Sequence, residues 1–284
     1  MLKIAIPKHN EFARKSIEIL RKSGVNFTQN ADEFGVFHSK EFPAQIRIME
    51  FEQIISAVAS GAQDIGIIGE HHLKDSGAEI CCMHTFSSCK SNVSLFVSKT
   101  LKYKGLESMA GKRIATYFPN MVSAFFKKRN IRANVFQYQR PLGLAIELGI
   151  ADGICVVLDE HLLNFYNELC EVDVIMQSSP IIIASKKLSA PRQIILDELI
   201  DRIKSVENAE GKKMVYVAVP IENKEKVFDV LTRESYKVVE MINCNKKYGV
   251  FQIVVDEKYL WDLKTHLKLL GAEDIYVMPI EKII

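Results

Sequence analysis

Long apolar runs, a strong net charge and a disulfide pattern are all missing from this sequence. No apolar stretch approaches the roughly 20 residues that span a bilayer, and the opening MLKIAIPKHNEF has the pattern of a strand and a polar turn, not of a signal peptide. The six cysteines have no disulfide-rich spacing, and the net charge is only +2. We therefore expect a cytoplasmic protein with reduced thiols that binds neither nucleic acid nor a membrane.

Hydrophobic residues make up 48% of the chain and charged residues 25%, which is ordinary for a globular protein. A chain of 284 residues is long enough for two or three domains with substantial cores.

Strand and helix alternate through the first two thirds of the chain. Residues 3–7, 45–48 and 64–68 have the composition of buried strands, and residues 11–23 and 52–60 have helical patterns that glycines end. This alternation predicts an α/β lobe. A second α/β pattern follows, so we expect lobe I at residues 1–92 and 181–207 and lobe II at residues 93–180.

The last third has a different order of elements. The polar segment 208–213 resembles a linker, and after it the patterns run strand, helix, strand, strand, helix, strand. This βαββαβ order predicts a ferredoxin-like, ACT-like domain at residues 212–284. Trp261 falls on the last helix and is expected in the core.

One turn in lobe II raises the question of function. The apolar residues 154–158 predict a buried strand, and helical composition begins directly after it at Asp159 and Glu160. Such a turn suits a phosphate or carboxylate, because free N–H groups and the positive end of the helix dipole meet there. Here it has no glycine and two acids. These acids can also be an N-cap and a first-turn charge, or can bind a cation.

Five segments together carry a resemblance to a known family. They are KIAIPK at the start, SGAQDIGIIGE at residues 60–70, GKRIATYFP at 111–119, GIADGIC at 149–155, and the tail LKLLGAEDIYVMPIEKII. In this order they resemble ATP phosphoribosyltransferase in its long form, the enzyme that opens histidine biosynthesis.

The resemblance implies two periplasmic-binding-protein-like lobes and a regulatory domain. It also implies transfer of phosphoribose from phosphoribosyl pyrophosphate (PRPP) to ATP with Mg²⁺, inhibition by histidine, and a homo-oligomer, either hexamer or dimer. The ligand would be ATP or another nucleotide. The positions that match the family's binding motifs are Lys8, Arg113, Thr116 and Asp152.

The phosphate loop departs from the family pattern. The family follows its strand with an acid and then a loop of serine, threonine and glycine that wraps the PRPP phosphate. A gapless match places Val156 at the acid, and Asp159, Glu160, His161, Leu162 and Leu163 over the loop. Glu11 likewise replaces an arginine. This degraded loop lacks the glycines that allow close approach and the hydroxyls that donate.

Other interpretations stay open. Two acids after apolar residues resemble the PRPP motif of the type I phosphoribosyltransferases, but the Thr-Gly pair of that motif is missing. His71, His72, Cys81, Cys82 and His84 fit no zinc spacing, so no metal site is expected from them. The sequence thus predicts a weakly active or non-catalytic paralogue that keeps a nucleotide cleft and pairs with itself or with an active paralogue. A functional divergent enzyme and a bilobed small-molecule sensor are the alternatives.

Overall fold

The computed structural model describes residues 1–8, 11–27, 31–32, 35–87, 90–138, 141–157, 168–233, 237–244 and 247–284. The chain divides into two compact units, residues 1–200 and 201–284. The first unit contains two β-sheets, which define lobes I and II, and the second contains one. The predicted fold class, two α/β lobes followed by a ferredoxin-like domain, is confirmed.

The elements of the first unit follow in chain order. Its strands are β1 (Leu2–Pro7), β2 (Val36–His38), β3 (Ala44–Met49), β4 (Ile65–Gly69), β5 (Cys81–Thr85), β6 (Ser91–Ser98), β7 (Arg113–Thr116), β8 (Asn134–Gln137), β9 (Gly153–Val157), β10 (Leu169–Ser178) and β11 (Pro180–Ala184). Its helices are α1 (Glu11–Lys22), α2 (Phe51–Ser60), α3 (Glu70–Ser76), α4 (Pro119–Lys127), α5 (Leu142–Glu147) and α6 (Ala190–Ala209), which continues into the second unit.

The sheet of lobe I has the order β2-β3-β1-β4-β11-β5. Strands β1, β3 and β4 are parallel, and β11 is antiparallel to β4. Strands β4 and β11 are buried along their whole length, as central strands of an α/β sheet are. Because β11 lies between β4 and β5, this sheet is completed only by residues that follow lobe II in the chain.

The sheet of lobe II has the order β10-β6-β9-β7-β8 and is formed by one continuous segment of chain. Strand β7 runs parallel to β8 on one side and to β9 on the other. The core of lobe II packs Leu95 and Ile114 of the strands with Phe126 of α4 and with Phe118, which directly precedes α4. The parallel strands therefore end on one edge of the sheet.

The second unit contains strands β12 (Lys212–Pro220), β13 (Lys237–Cys244), β14 (Tyr248–Asp256) and β15 (Ile275–Pro279), with helices α7 (Lys224–Arg233) and α8 (Leu260–Leu269). The antiparallel order β13-β14-β12-β15 is that of the ferredoxin-like fold. Val215, Val217 and Val219 alternate into a core with Leu231 and Leu263.

Two expectations about this region were wrong. Trp261 is 71% exposed, because the buried face of α8 is the one that carries Leu263 and Leu267. The segment 208–213 is not an open linker, since α6 continues to Ala209 and β12 begins at Lys212. The domain limits drawn from the sequence stay predictions.

Candidate functional site

The carboxyl ends of the parallel strands in the two lobes define the candidate site. Ligands of open α/β sheets bind beyond these ends. The helix that follows β4 and the helix that follows β7 meet, since the ring of Phe118 lies 4.7 Å from that of His71 and 5.1 Å from that of His72. The carboxyl end of β4 in lobe I therefore lies close to that of β7 in lobe II, and the region beyond these two edges, called the cleft below, is the candidate site.

Lys8 lies at this cleft, directly after the carboxyl end of β1. Its backbone N–H donates to the carbonyl of Met49 at 2.9 Å, so the ends of β1 and β3 stay side by side. Its side chain is exposed. Glu50 follows Met49 and, with Gln53, forms the capping box that begins α2. Among the described residues, this edge thus offers the exposed ammonium of Lys8 beside the carboxylate of Glu50, which is already engaged with its own helix.

Thr116 also lies at a carboxyl edge, at the end of β7, but its hydroxyl is used inside the protein. The side chain is fully buried, Oγ1 donates to the carbonyl of Cys155 at 2.8 Å, and it accepts the N–H of Phe118 at 3.0 Å. These bonds fix the turn between β7 and α4. Thr116 therefore shapes the site without exposing a donor to it.

Arg113 and Asp152 lie at the other end of the strands, away from the cleft. Asp152 precedes β9 and accepts the backbone N–H of Arg113 at 2.8 Å and its Nε at 3.2 Å. The Arg113 guanidinium holds the pKa of Asp152 below its ordinary value. The two residues are brought together with each other, not with Lys8 and Thr116, and their predicted part in substrate binding stays a prediction.

A second acid, which the sequence interpretation did not select, makes the same arrangement in lobe I. Asp64 precedes β4, is 3% exposed, and accepts the backbone N–H of Lys3 at 2.8 Å. Its other oxygen accepts Nη1 of Arg192 at 2.8 Å. The repeated G-x-x-D spacing of the sequence, at Gly61 and at Gly149, is the signal that would have identified it.

Both acids follow a glycine in the left-handed conformation. Gly61 has φ of 83° where α2 ends, and Gly149 has φ of 64° after α5. Glycine adopts this conformation without the steric cost that a side chain brings. The motif therefore turns the chain out of a helix and ties the next strand to its neighbour, which is an architectural role.

An aromatic ladder crosses between the lobes next to the cleft. Phe51 at the start of α2 stacks on His72 at 3.8 Å, and His72 lies 4.3 Å from His71, which contacts Phe118. His71 is buried, and its Nδ1 lies 2.6 Å from Oγ of Ser178. Burial lowers the pKa of His71 to about 3, so its imidazole is neutral near pH 7.

The degraded phosphate loop lies mostly outside the described residues. That applies to Asp159, Glu160, His161, Leu162 and Leu163, and also to the side chain of Glu11. Val156, the first residue of the match, is 4% exposed and packs with Phe96, Ala115 and Ile154 in lobe II. The loop begins directly after β9, which ends at the same edge as β7.

The described part of the chain contains no group of three or more acidic, histidine or cysteine side chains able to hold a metal ion. His71 and His72 instead take part in ring contacts, and Cys81 and Cys82 are exposed on β5. Among the described residues, none of the helices combines the length and the apolar composition needed to cross a membrane.

Comparison with known proteins agrees with the sequence motifs. The family model of ATP phosphoribosyltransferase (HisG) matches residues 51–205, and that of the HisG C-terminal domain matches residues 209–282. The chain is 31% identical over 284 residues to the ATP phosphoribosyltransferase of Parabacteroides distasonis, with 100% of both chains covered. It is 32% identical over 286 residues to that of Cytophaga hutchinsonii, covering 100% of this chain and 99% of the relative.

Solved structures support the fold. A chain of the ATP phosphoribosyl transferase (HisG:HisZ) complex from Thermotoga maritima matches with a TM-score of 0.58 and 21% identity, covering 72% of this chain and 99% of that one. The periplasmic VFT2 domain of Bordetella pertussis BvgS matches with a TM-score of 0.50 and 11% identity, covering 72% and 86%. The resemblance seen in the motifs is confirmed over both parts of the chain, which belongs to the ATP phosphoribosyltransferase family and carries its C-terminal domain.

Proposed function

We propose that this chain binds a nucleotide in the cleft between its lobes and transfers phosphoribose weakly or not at all. The observation that carries the proposal is the sequence of residues 159–163, which replaces a loop of glycines and hydroxyls by two acids, a histidine and two leucines. Its position directly after β9 supports a place at the cleft edge.

The magnitude of the charge effect supports the proposal that PRPP binds weakly. A carboxylate about 4 Å from a phosphate charge costs roughly 4 kcal/mol at an effective dielectric near 20. That corresponds to nearly a thousandfold in affinity at about 1.4 kcal/mol per decade. Without glycine and hydroxyl donors, no compensating hydrogen bonds come from these five side chains apart from the imidazole of His161.

Retention of the nucleotide is supported by the intact framework. Both sheets are complete, Thr116 fixes the turn after β7, and Lys8 presents an exposed ammonium at the end of β1. Mg²⁺, which the family implies, is usually held by substrate phosphates with one or two carboxylates. Of the carboxylates near the edge, Glu50 caps its own helix and Glu70 pairs with Lys74 at 3.0 Å, so a Mg²⁺ ion would be held mainly by the substrate phosphates.

A competent divergent enzyme is the second candidate. The observation in its favour is the 31–32% identity over the full length to curated ATP phosphoribosyltransferases. In that case, donors other than those of residues 159–163 hold the PRPP phosphate.

Two measurements test the proposal, and the second separates the two candidates. Calorimetry with ATP is expected to show binding that Lys8→Ala weakens about tenfold and Lys40→Ala leaves unchanged, because Lys40 is an exposed lysine before the amino end of β3. Pyrophosphate release with ATP, PRPP and Mg²⁺ is expected to stay near background, with the Cytophaga hutchinsonii relative as positive control. Turnover of about 1 s⁻¹ or faster would support the second candidate.

We also propose that the chain associates with itself, as a dimer or hexamer, or with an active paralogue. The C-terminal unit supports this, because it exposes large apolar side chains: Trp261, Leu269, Tyr276 and Met278 are between 43% and 80% exposed. Sedimentation of the pure protein tests self-association. A single monomeric species at micromolar concentration would exclude it.

A further inference from the structure

The first residues of α3 are hydrogen-bonded to the segment in which the chain crosses between the lobes. The chain passes from lobe II back to lobe I between β10 and β11. There the carbonyl of Ser179 accepts the N–H of Glu70 at 2.9 Å, and Oγ of Ser178 accepts the N–H of His71 at 3.3 Å. The ring of His71 also bonds this hydroxyl. The start of α3 is therefore fixed to the segment that crosses between the lobes.

The other end of α3 reaches into lobe II. Oδ1 of Asp75 accepts the N–H of Met121 at 2.9 Å, and the backbone carbonyl of Asp75 accepts Nδ2 of Asn120 at 3.0 Å. Helix α4 begins at Pro119, and Phe118 before it supplies no side-chain acceptor. Asp75 thus provides, from the opposite lobe, the acceptor that an N-cap residue normally provides from its own helix.

The space beside these bonds is filled by rings. Phe118 lies against His71 and His72, and His72 stacks on Phe51. Burial raises the pKa of Asp75, while the N–H groups of Met121 and Asn120 oppose that rise, which reflects a carboxyl group withdrawn from water onto a helix start. A helix of seven residues, about 10 Å long, is therefore held at both ends.

We propose that Asp75 is a positioning residue of the cleft, which caps α4 from lobe I and thereby fixes the separation of the two carboxyl edges. With Asp75 in place, the turn after β7 stands at one distance from the ends of β1 and β3. Without it, the start of α4 is free to move away from α3. The part of this proposal that concerns nucleotide affinity rests on the proposed function, whereas the part that concerns lobe separation does not.

The variants Asp75→Ala and Asp75→Asn separate capping from charge. Asparagine keeps the oxygen that accepts the N–H of Met121, whereas alanine removes it. Amide hydrogen exchange over residues 118–122 is expected to be about tenfold faster in Asp75→Ala and near wild type in Asp75→Asn. Glu79→Ala is the control, because Glu79 is an exposed acid of lobe I whose ion pair with Lys186 is long, at 3.7 Å.

The separation of the lobes is the readout that a purely local role would not change. Dyes placed through unnatural amino acids at Ser56 of α2 and Ser123 of α4, both exposed, report it by single-molecule energy transfer. We expect a broader distribution of distances in Asp75→Ala, and recovery of the narrow distribution in Asp75→Asn. An unchanged distribution in a folded Asp75→Ala variant would overturn the proposal.

Affinity for ATP completes the test. Asp75→Ala is expected to bind ATP several-fold more weakly and Asp75→Asn to bind it normally. If the wild-type chain does not bind ATP, the proposed function fails, and exchange and distance still decide the role of Asp75. If Asp75→Ala does not fold, a wild-type-like distance distribution in Asp75→Asn supports the capping role, and a broadened one contradicts it.

Discussion

Asp64 and Asp152 occupy equivalent positions in the two lobes. Each carboxylate accepts the backbone N–H of the first or second residue of a neighbouring parallel strand at 2.8 Å. Each backbone N–H returns a bond to the carbonyl of that same residue, Lys3 at 3.0 Å and Arg113 at 2.8 Å. Both acids also pair with an arginine. The G-x-x-D motif therefore forms the same set of bonds between neighbouring strands in both lobes, which we call the bracket.

Removing the bracket is expected to cost more in lobe I than in lobe II. Asp64→Ala leaves a buried amide and Arg192 without their acceptor, and we expect a loss of about 3 kcal/mol. Asp152→Ala breaks an ion pair in which Arg113 is 48% exposed, so we expect about 1 kcal/mol. Urea unfolding of the two variants measures the difference. Equal losses of stability would show that the difference in burial between Asp64 and Asp152 does not affect what each contributes.

The neutral state of His71 predicts a pH dependence of stability. Its pKa is about 3 in the folded chain against 6.5 for an unperturbed histidine. Between these two pKa values the folded state therefore binds fewer protons than the unfolded state. The free energy of unfolding falls by up to about 1.4 kcal/mol for each pH unit as the pH drops below 6.5, and it levels off near pH 3. Thermal unfolding from pH 4 to 7 should show this slope in the wild type and less of it in His71→Gln. Parallel curves would show that His71 titrates normally.

We predict that the ring of His71 leaves no space for a side chain at position 69, so that glycine is needed there. A Cβ on Gly69 would lie 2.3 Å from Cε1 of His71, whose ring is buried and bonded to Ser178. Gly69→Ala should therefore cost about 1–3 kcal/mol through overpacking. In the double variant with His71→Ala, the cost of the added methyl should largely disappear. A double-mutant cycle measures this coupling, and additive losses would place the strain elsewhere.

Exchange of the loop residues tests the charge argument. The triple variant Asp159→Ser, Glu160→Thr, Leu162→Gly removes two acids and supplies hydroxyls and a glycine. We expect its affinity for PRPP to rise by about two to three orders of magnitude. Leu162→Gly alone, which keeps both acids, is the control and should gain little. Equal affinity in all three proteins, measured by calorimetry, would show that the phosphate does not bind at this turn.

The sheets of both lobes followed from the sequence because their strands are short apolar runs separated by glycines. Residues 64–68 in lobe I and 154–158 in lobe II were predicted as strands, and the structure has strands at Ile65–Gly69 and Gly153–Val157. The order of elements in the C-terminal domain could be predicted in the same way, since buried Val215, Val217 and Val219 alternate with residues on the other face of β12. Where burial alone decides an element, local pattern is sufficient.

Helix α3 was missed for a physical reason. Its residues EHHLKDS contain a single aliphatic side chain, Leu73, so no apolar period exists. The helix is fixed by bonds to Ser178 and Met121, which are distant in the chain. Arg192 was missed likewise, because it lies 128 residues from Asp64. Arg113 and Thr116 belong to one sequence motif, but they lie at opposite ends of β7. Thr116 is at the end next to the cleft, whereas Arg113 is at the end that carries the bracket with Asp152.

The interrupted path of the chain through lobe I has a consequence for biosynthesis. Lobe II is built from consecutive residues, so it can close its sheet once Ser178 has left the ribosome. Lobe I must hold β4 and β5 apart until Pro180–Ala184 is inserted between them. The lobe translated first is therefore finished second, and until β11 has been made, the nascent chain exposes the edges of β4 and β5 that β11 later covers to chaperones and to misassembly.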